Sequence, residues 1–207
     1  MSKGTLFVFS GPSGVGKGTI LQGFLKENPD CFFSVSATTR KIREGEVDGV
    51  NYYYITHEQF EEQIKNGQML EYASYSGNYY GTPIAPVEKM LECGKNVFLE
   101  IEVQGAMKIK EKCPDAVFIF VMPPSYAELK RRLVGRNTED EKTIQKRITA
   151  AVTEMNKACE YDYIIVNDTI ENARAELSAI VKARKCAYMY KKEFINEVLK
   201  NVETITE

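Results

Sequence analysis

Histidine and paired cysteines, which build many catalytic and metal sites, are scarce in this 207-residue sequence. The one histidine, His57, cannot complete a Ser–His–Asp triad or a histidine metal site, and its place after Thr56 indicates the first turn of a helix. The cysteines are odd in number, widely spaced and never arranged as Cys-x-x-Cys, which argues against a disulfide framework or a zinc site. We therefore expect reduced thiols and a cytoplasmic protein. The cysteines are Cys31, Cys93, Cys113, Cys159 and Cys186.

An excess of positive charge and a long hydrophobic run are also missing. Lysine and arginine number 27 against 29 aspartates and glutamates, so the chain lacks the basic balance of a surface that binds duplex nucleic acid. Any anion must be held by a local site. The longest apolar run, residues 116–122, has the length of a buried strand and is too short to span a bilayer. We expect neither nucleic acid nor a membrane among the partners.

Short apolar runs alternate with segments of helical pattern. The runs are partly β-branched, as is typical of strands buried on both faces of a parallel sheet. They cover residues 5–10, 96–99, 116–122 and 163–166. Capping-box spacings predict helix starts at Thr56 and Ser125. Three glycines stand where helices should end, namely Gly67, Gly94 and Gly135. The sequence predicts an α/β core.

Two segments differ in composition from this core. Residues 34–86 are dense in Tyr, Thr, Ser, Gly and Arg, and the alternating runs 52–55 and 70–75 indicate a small inserted sheet. Residues 125–159 cluster arginines on helices around the polar stretch 137–141, which indicates a mobile flap. The length fits a single domain spanning 1–207, with the core made of residues 1–33, 87–124 and 160–207.

A glycine-rich loop follows the first predicted strand and precedes a predicted helix. Its glycines allow successive backbone N–H groups to point at a polyphosphate, and its lysine can reach the β- and γ-phosphates. The loop fits the P-loop pattern and predicts an ATP site. Its residues are Gly11, Pro12, Ser13, Gly14, Val15, Gly16, Lys17, Gly18 and Thr19.

The loop departs from the pattern at Gly18, where a Ser or Thr hydroxyl usually binds Mg²⁺. Thr19, water or the nucleotide phosphates must take that role, so the metal ligands stay open. The Gly-Lys-Gly-Thr ending resembles that of adenylate kinases. This favours nucleoside monophosphate kinases over GTPase switches.

Beyond the P-loop, the sequence resembles guanylate kinases along nearly its whole length. The match is carried by several motifs in one order: residues 34–40, 43–46, 49–52, 70–71, 76–82, 99–105 and 161–168. The resemblance implies a three-layer P-loop core with a parallel sheet, a small mixed α/β GMP-binding insertion and a helical lid. It also implies the reaction ATP + GMP → ADP + GDP, with Mg²⁺ as cofactor.

The resemblance assigns the acceptor nucleotide to the insertion. Positions matching Arg40, Arg43, Tyr52 and Tyr80 bind the phosphate of GMP, which suits guanidinium and phenol donors. Guanine selection falls to Ser36, Glu71 and Thr82. Taken alone, Glu71 is also readable as a solvent-facing strand residue, which is the commoner position of a lone glutamate. Glu100 and Glu102, spaced by two and expected on one face of a strand end, are implied in contacts to the base and to metal-bound water, although the family usually has Asp at the second position.

The resemblance assigns the donor nucleotide to the lid and the core. Arg132, Arg136 and Arg147 match positions that clamp ATP and the transferring phosphoryl group, whereas the neighbouring Arg131 is expected to be solvated. Asn167 matches a residue near the donor adenine, and is otherwise a turn residue. Catalysis is then expected from Lys17, Arg40, Arg136 and Arg147.

Two other functions remain open from the residues. One is a nucleotide kinase of other base preference, which only Gly18 favours. The other is a non-catalytic guanylate-kinase-like binding module, but such modules typically lack an intact phosphate cradle. Because the acceptor residues, the donor arginines and the P-loop lie on separate segments, we also expect both outer segments to close onto bound substrates.

Overall fold

The computed structural model describes residues 3–75, 77–134 and 141–203. In chain order the elements are β1 (Leu6–Ser10), α1 (Lys17–Glu27), β2 (Cys31–Phe33), β3 (Ala37–Thr38), β4 (Tyr53–Tyr54), α2 (His57–Lys65), β5 (Met69–Tyr75), β6 (Asn78–Pro83), α3 (Ile84–Glu92), β7 (Asn96–Glu100), α4 (Val103–Lys112), β8 (Val117–Met122), α5 (Tyr126–Val134), α6 (Glu141–Met155), β9 (Tyr163–Val166), α7 (Ile170–Lys185) and α8 (Tyr188–Glu203). Within the described ranges, no helix is long and apolar enough to cross a membrane.

The central sheet is parallel throughout and has the strand order β2–β7–β1–β8–β9. The four strands predicted from apolar runs are all present, with ends that differ from the prediction by no more than one residue. The edge strand β2 was not predicted, because its three half-buried residues are too few to show a pattern. The predicted α/β core is confirmed.

Side chains of β1 alternate between the two faces of the sheet. Val8 packs on the side of α4 with Ile109, whereas Phe7 packs on the side of α7 with Leu177. Phe7 also stacks on Phe98 of the neighbouring strand, with ring centres 4.8 Å apart. Burial of one such phenylalanine contributes about 1.5–3 kcal/mol. The helical layers on both faces thus fix β1, whose carboxyl end leads into the glycine-rich loop.

The chain between β2 and α3 forms a second sheet with the order β4–β3–β6–β5. Phe60 of α2 is fully buried beneath it and packs with Ala37 and Met69. The predicted capping box is present, because the side chain of Thr56 accepts from the Gln59 backbone N–H while the Gln59 side chain accepts from that of Thr56. The strands β3 and β6 were not predicted, since one has two residues and the other carries a glycine and a proline. The boundaries of the insertion at 34 and 86 stay a prediction.

The lid segment contains α5 and α6, which pack through a small apolar cluster. Its buried residues are Leu129, Leu133, Ile148 and Ala151. Ser125 caps α5 as predicted, with its hydroxyl 3.1 Å from the Glu128 backbone nitrogen. Gly67 and Gly94 follow α2 and α3 with φ of 65° and 77°, which confirms the predicted helix ends. Gly135, Arg136 and the polar residues 137–140 lie outside the described residues.

Candidate active site

A cavity of about 290 Å³ opens between the insertion sheet and the carboxyl end of β7. Open parallel sheets place their ligands at the carboxyl ends of the strands. Six of the predicted acceptor residues line this cavity: Ser36, Tyr52, Glu71, Tyr80, Glu100 and Glu102. Six further lining residues were not predicted as site residues: Ala73, Tyr75, Gly81, Ile101, Gln104 and Gly105. Most of the predicted acceptor residues therefore share one cavity, whereas Arg40, Arg43 and Thr82 do not line it.

Glu71 of β5 is buried, with 6% of the residue exposed, so its reading as a solvent-facing strand residue is wrong. Thr82 of β6 donates its hydroxyl to Glu71 Oε1 over 2.8 Å. A β-carbon on Gly105 would lie 2.8 Å from Glu71 Oε2, so glycine there lets α4 approach the carboxylate closely. Burial raises the pKa of Glu71, and the Thr82 hydrogen bond opposes this. A buried carboxylate of this kind can accept from two adjacent N–H donors.

Two carboxylates lie at the carboxyl end of β7 and just beyond it. Glu100 is the last residue of β7, whereas Glu102 directly precedes α4 as its N-cap residue. Both nevertheless line the cavity, Glu100 half-buried and Glu102 exposed. Burial raises the pKa of Glu100, and the nearby Lys17 ammonium opposes the rise. Both carboxylates thus reach one cavity, as their spacing predicts, because the backbone is still extended at Glu102, with φ −73° and ψ 159°.

The glycine-rich loop lies between β1 and α1, as predicted. Lys17 donates its ammonium to the carbonyls of Gly11 and Pro12, at 2.6 and 3.1 Å. Burial lowers the pKa of Lys17, and the carboxylates of Glu100, Glu154 and Glu102, in that order, oppose this. The lysine is therefore held inside its own loop, where the loop carbonyls are its direct partners.

Asn167 and Arg132 support the loop from behind. Asn167 donates its amide nitrogen to the Val15 carbonyl over 2.6 Å, and Arg132 donates to the same carbonyl over 3.3 Å. Arg132 also donates to the Asn167 carbonyl over 3.1 Å. A β-carbon on Gly16 would lie 2.6 Å from the Asn167 amide, so this contact requires glycine. The predicted contact of Asn167 with the donor adenine stays a prediction, and the loop contact was missed.

The lid helix α6 contacts the same loop. Arg147 donates to the Ser13 hydroxyl over 2.8 Å. Glu154, two turns further along the same face of α6, was not predicted as a site residue because no motif contains it. Burial raises its pKa, whereas Lys17 and the Ser13 backbone N–H counteract the rise. Arg136 lies outside the described residues, so its placement stays a prediction.

Arg40 of the insertion is held by a carboxylate. Glu46 accepts from both terminal nitrogens of Arg40, at 2.8 and 2.9 Å, and from the Tyr54 hydroxyl at 2.8 Å. These bonds lower the pKa of Glu46 to about 2. Arg43 contributes its backbone N–H to Glu46, while its side chain is exposed. Glu46 lies in the motif at residues 43–46, but no role was predicted for it.

Aromatic rings complete the wall beside Arg40. Its guanidinium carbon lies 5.5 Å from the centre of the Tyr52 ring and 5.8 Å from that of Tyr54. Tyr80 meets Tyr52 edge to face at 6.0 Å. A cation between aromatic faces and phenol hydroxyls is a setting that suits a dianionic phosphate. Arg131, in contrast, is 74% exposed and paired with Glu128, which confirms that it is solvated.

Comparison with known proteins agrees with this geometry. The sequence model of the family described as Guanylate kinase matches residues 3–184. A guanylate kinase of Clostridioides difficile is 52% identical over 200 residues, which cover 97% of this chain and 98% of that protein. One of Lactococcus lactis is 54% identical over 181 residues, covering 87% and 88%.

A solved structure shares the whole architecture. The crystal structure of a guanylate kinase from Anaplasma phagocytophilum superposes with a TM-score of 0.75 and 35% identity, covering 91% of this chain and 90% of that one. The P-loop, the cavity and these similarities lead to one conclusion. The chain belongs to the guanylate kinase family and is an ATP:GMP phosphotransferase, which converts ATP and GMP into ADP and GDP.

Proposed function

We propose that the enzyme reads guanine with the buried Glu71 carboxylate and transfers the γ-phosphoryl group in line to GMP held between the insertion and the P-loop. The buried Glu71–Thr82 pair in the cavity is the observation that supports this most strongly. Guanine offers N1–H and its exocyclic amine side by side, whereas adenine has an unprotonated N1 and no amine there. A bidentate contact discriminates between bases by about 1–3 kcal/mol. Adenine would also leave a buried carboxylate without partners.

The remaining base contacts come from residues around Glu71. Ser36 lies on the cavity wall and can supply a further hydroxyl. Thr82 already orients one Glu71 oxygen, which leaves the other lone pairs free for the base. Glu102, at the start of α4, closes the cavity on the core side. These positions divide base recognition between a carboxylate and neighbouring hydroxyls.

The phosphate of GMP is assigned to Arg40, Arg43, Tyr52 and Tyr80. The guanidinium of Arg40 lies beside the rings of Tyr52 and Tyr54 while Glu46 fixes its plane. A fixed fork loses little entropy when it binds a phosphate bidentately. Arg43 lies exposed three residues on and can reach the same anion from the rim.

ATP is assigned to the P-loop, the lid and Asn167. We assign the phosphates to the loop backbone and Lys17, together with Arg132, Arg136 and Arg147 of the lid segment. Phosphoryl transfer needs in-line positioning and neutralisation of the equatorial oxygens rather than covalent help from the protein. We therefore assign catalysis to Lys17, Arg40, Arg136 and Arg147, cations that the core, the insertion and the lid segment supply.

The divalent metal of the family is proposed to be Mg²⁺. No group of three or more His, Cys, Asp or Glu in the described residues could hold an ion by itself. The Glu100 carboxylate lies beside Gly18, 3.6 Å from where a β-carbon would stand, and offers the hard oxygens that Mg²⁺ prefers. These residues fit an ion held by Glu100, with Thr19 near by, together with phosphate oxygens and water. When bound, the ion neutralises phosphate charge.

A coupled ADP-release assay tests the proposal by offering GMP, AMP, CMP and UMP in turn. We expect turnover with GMP at least tenfold above that with any other nucleotide, in line with the bidentate contact. Comparable rates with AMP would overturn the role of Glu71. The five free cysteines fit our further proposal that the reaction takes place in the reducing cytoplasm.

A further inference from the structure

Two lysines of the core helix α4 hold the backbone of β5 on either side of Glu71. Lys108 donates its ammonium to the Tyr72 carbonyl over 2.7 Å, and Lys112 donates to the Leu70 carbonyl over 2.7 Å. β5 is the edge strand of its sheet, so these outward carbonyls have no strand partner. The bonds join the core to the insertion at the residue that faces the base.

Gly105 and the two lysines lie on one face of α4, since they are spaced by three and four residues. Gly105 lets the helix approach the Glu71 carboxylate, and the lysines then reach past it to the strand. Thus one helix face sets both the position of the strand and the space around its carboxylate.

We propose that Lys108 and Lys112 are positioning residues for guanine recognition, which hold β5 so that the Glu71 carboxylate faces the base in the cavity. This inference rests on the proposed role of Glu71. Neither lysine lines the cavity, so neither is expected to touch GMP.

Electrostatics give the same lysines a second effect. The charged groups that face Glu71 are Lys108, Lys112 and Glu102; the lysines lower its pKa, while Glu102 and burial raise it. The ionised carboxylate can accept both guanine donors. Loss of the lysines therefore raises the pKa of Glu71. As the pH is lowered, GMP binding should then be lost at a higher pH than in the wild type.

Lys110 provides a matched control on the same helix. It lies on another face of α4, where its ammonium contacts Glu160 and lies 6.0 Å from the centre of the Phe118 ring. A Lys110→Met substitution removes the same charge and keeps the same stem, but it leaves β5 untouched.

The test compares K108M, K112M and the double variant with K110M and wild type. For the double variant we expect the KM for GMP to rise about tenfold while kcat and the KM for ATP stay within a factor of two. The acid limb of kcat/KM for GMP should move to higher pH. Arginine at both positions should restore most of the loss, because it keeps charge and donors, and thermal unfolding midpoints show whether each variant folds.

The outcomes distinguish the role of the two lysines from the proposed role of Glu71 in guanine recognition. If E71Q loses GMP preference while the lysine variants keep the wild-type KM and pH limb, the lysine inference alone is overturned. Equal effects in K110M, or equal rises in both KM values, also overturn it, since they indicate loss of charge or stability. If E71Q keeps full GMP preference, the role of Glu71 fails first. Should the double variant not fold, the two single variants decide by the same criteria.

Discussion

Both carboxylate oxygens of Glu46 accept hydrogen bonds from the terminal nitrogens of Arg40, at 2.8 and 2.9 Å, and these bonds fix the plane of the guanidinium beside Tyr52. Both residues belong to the insertion, so the pair forms without help from the core. The carboxylate accepts two further bonds, from the Tyr54 hydroxyl and the Arg43 backbone. The guanidinium of Arg40, our proposed ligand of the acceptor phosphate, therefore has its orientation set before the nucleotide binds.

Replacement of Glu46 tests this orientation. We expect Glu46→Gln to raise the KM for GMP about tenfold, because an amide accepts only one of the two guanidinium bonds. The KM for ATP should stay near the wild-type value. Glu44→Gln, an exposed neighbour, is the control. Steady-state kinetics with each substrate varied in turn give the result, and a wild-type KM for GMP in E46Q would contradict the assigned role.

Lys17→Ala should abolish phosphoryl transfer and leave GMP binding nearly intact. Lys17 lies within the P-loop, bonded to Gly11 and Pro12, whereas the acceptor residues lie in the insertion. Calorimetric titration with GMP, set beside the coupled assay, separates the two effects. A fall in GMP affinity as large as the fall in activity would contradict this division between donor and acceptor sites.

Glu71→Gln should lower GMP turnover strongly and narrow the gap between GMP and AMP. The amide oxygen accepts from only one of the guanine donors, which weakens GMP binding. The neutral amide also leaves no buried, unpaired charge when adenine is bound, so AMP is disfavoured less. Burial raises the pKa of Glu71, so wild-type GMP affinity should fall on acidification at a higher pH than an ordinary glutamate would give. The acid limb should flatten in the variant, which has no titrating group there. Unchanged selectivity would assign base reading to Ser36, Thr82 or the Glu100 and Glu102 pair.

Asn167→Ala should raise the KM for ATP and spare that for GMP. The substitution removes the 2.6 Å bond to the Val15 carbonyl and opens space beneath the loop. Loss of a buried hydrogen bond of this kind costs about 1–3 kcal/mol, so the thermal midpoint should fall as well. Asn172→Ala is the control, because that exposed side chain contacts only Asp168 among the described hydrogen bonds. Equal KM changes for both nucleotides would contradict the loop-supporting role.

The features that could be predicted from the sequence are those with a local pattern of residues. The strand at residues 163–166 and the P-loop were found because short apolar runs and glycine spacing are local signals. The spacing of two between Glu100 and Glu102 is also a local signal, and both line the cavity, although Glu102 lies beyond the end of β7. Strand β3, with two residues, carries too little pattern to be seen.

Contacts between distant segments explain the remaining omissions. Glu154 reaches the P-loop only because α6 packs across it, and Gly105 is constrained only because β5 brings Glu71 against α4. Neither position stands out by residue type. Such roles arise from tertiary packing, so they cannot be predicted from the spacing of residues in a single sequence.

The lid and the insertion each have a hydrophobic cluster of their own, separate from that of the core. α5 and α6 form their own apolar cluster, and Phe60 centres another beneath the insertion sheet. In the described structure Arg147 contacts Ser13, whereas Arg40 is bound to Glu46. For transfer, the lid has to bring Arg147 and the insertion has to bring the Arg40–Glu46 pair, as a unit, towards the transferring group.

We therefore expect closure of both segments when substrates bind. In-line transfer requires reacting atoms within about 3–3.5 Å, and an open cleft would leave water beside the γ-phosphate. GMP together with a nonhydrolysable ATP analogue should reduce the radius of gyration in solution scattering. It should also protect residues 34–86 and 125–159 from amide exchange, while the strands of the central sheet change little. Each nucleotide alone serves as the control, since GMP should protect mainly the insertion and the analogue mainly the lid. Identical scattering and exchange with and without both ligands would contradict closure even for a fully active GMP kinase.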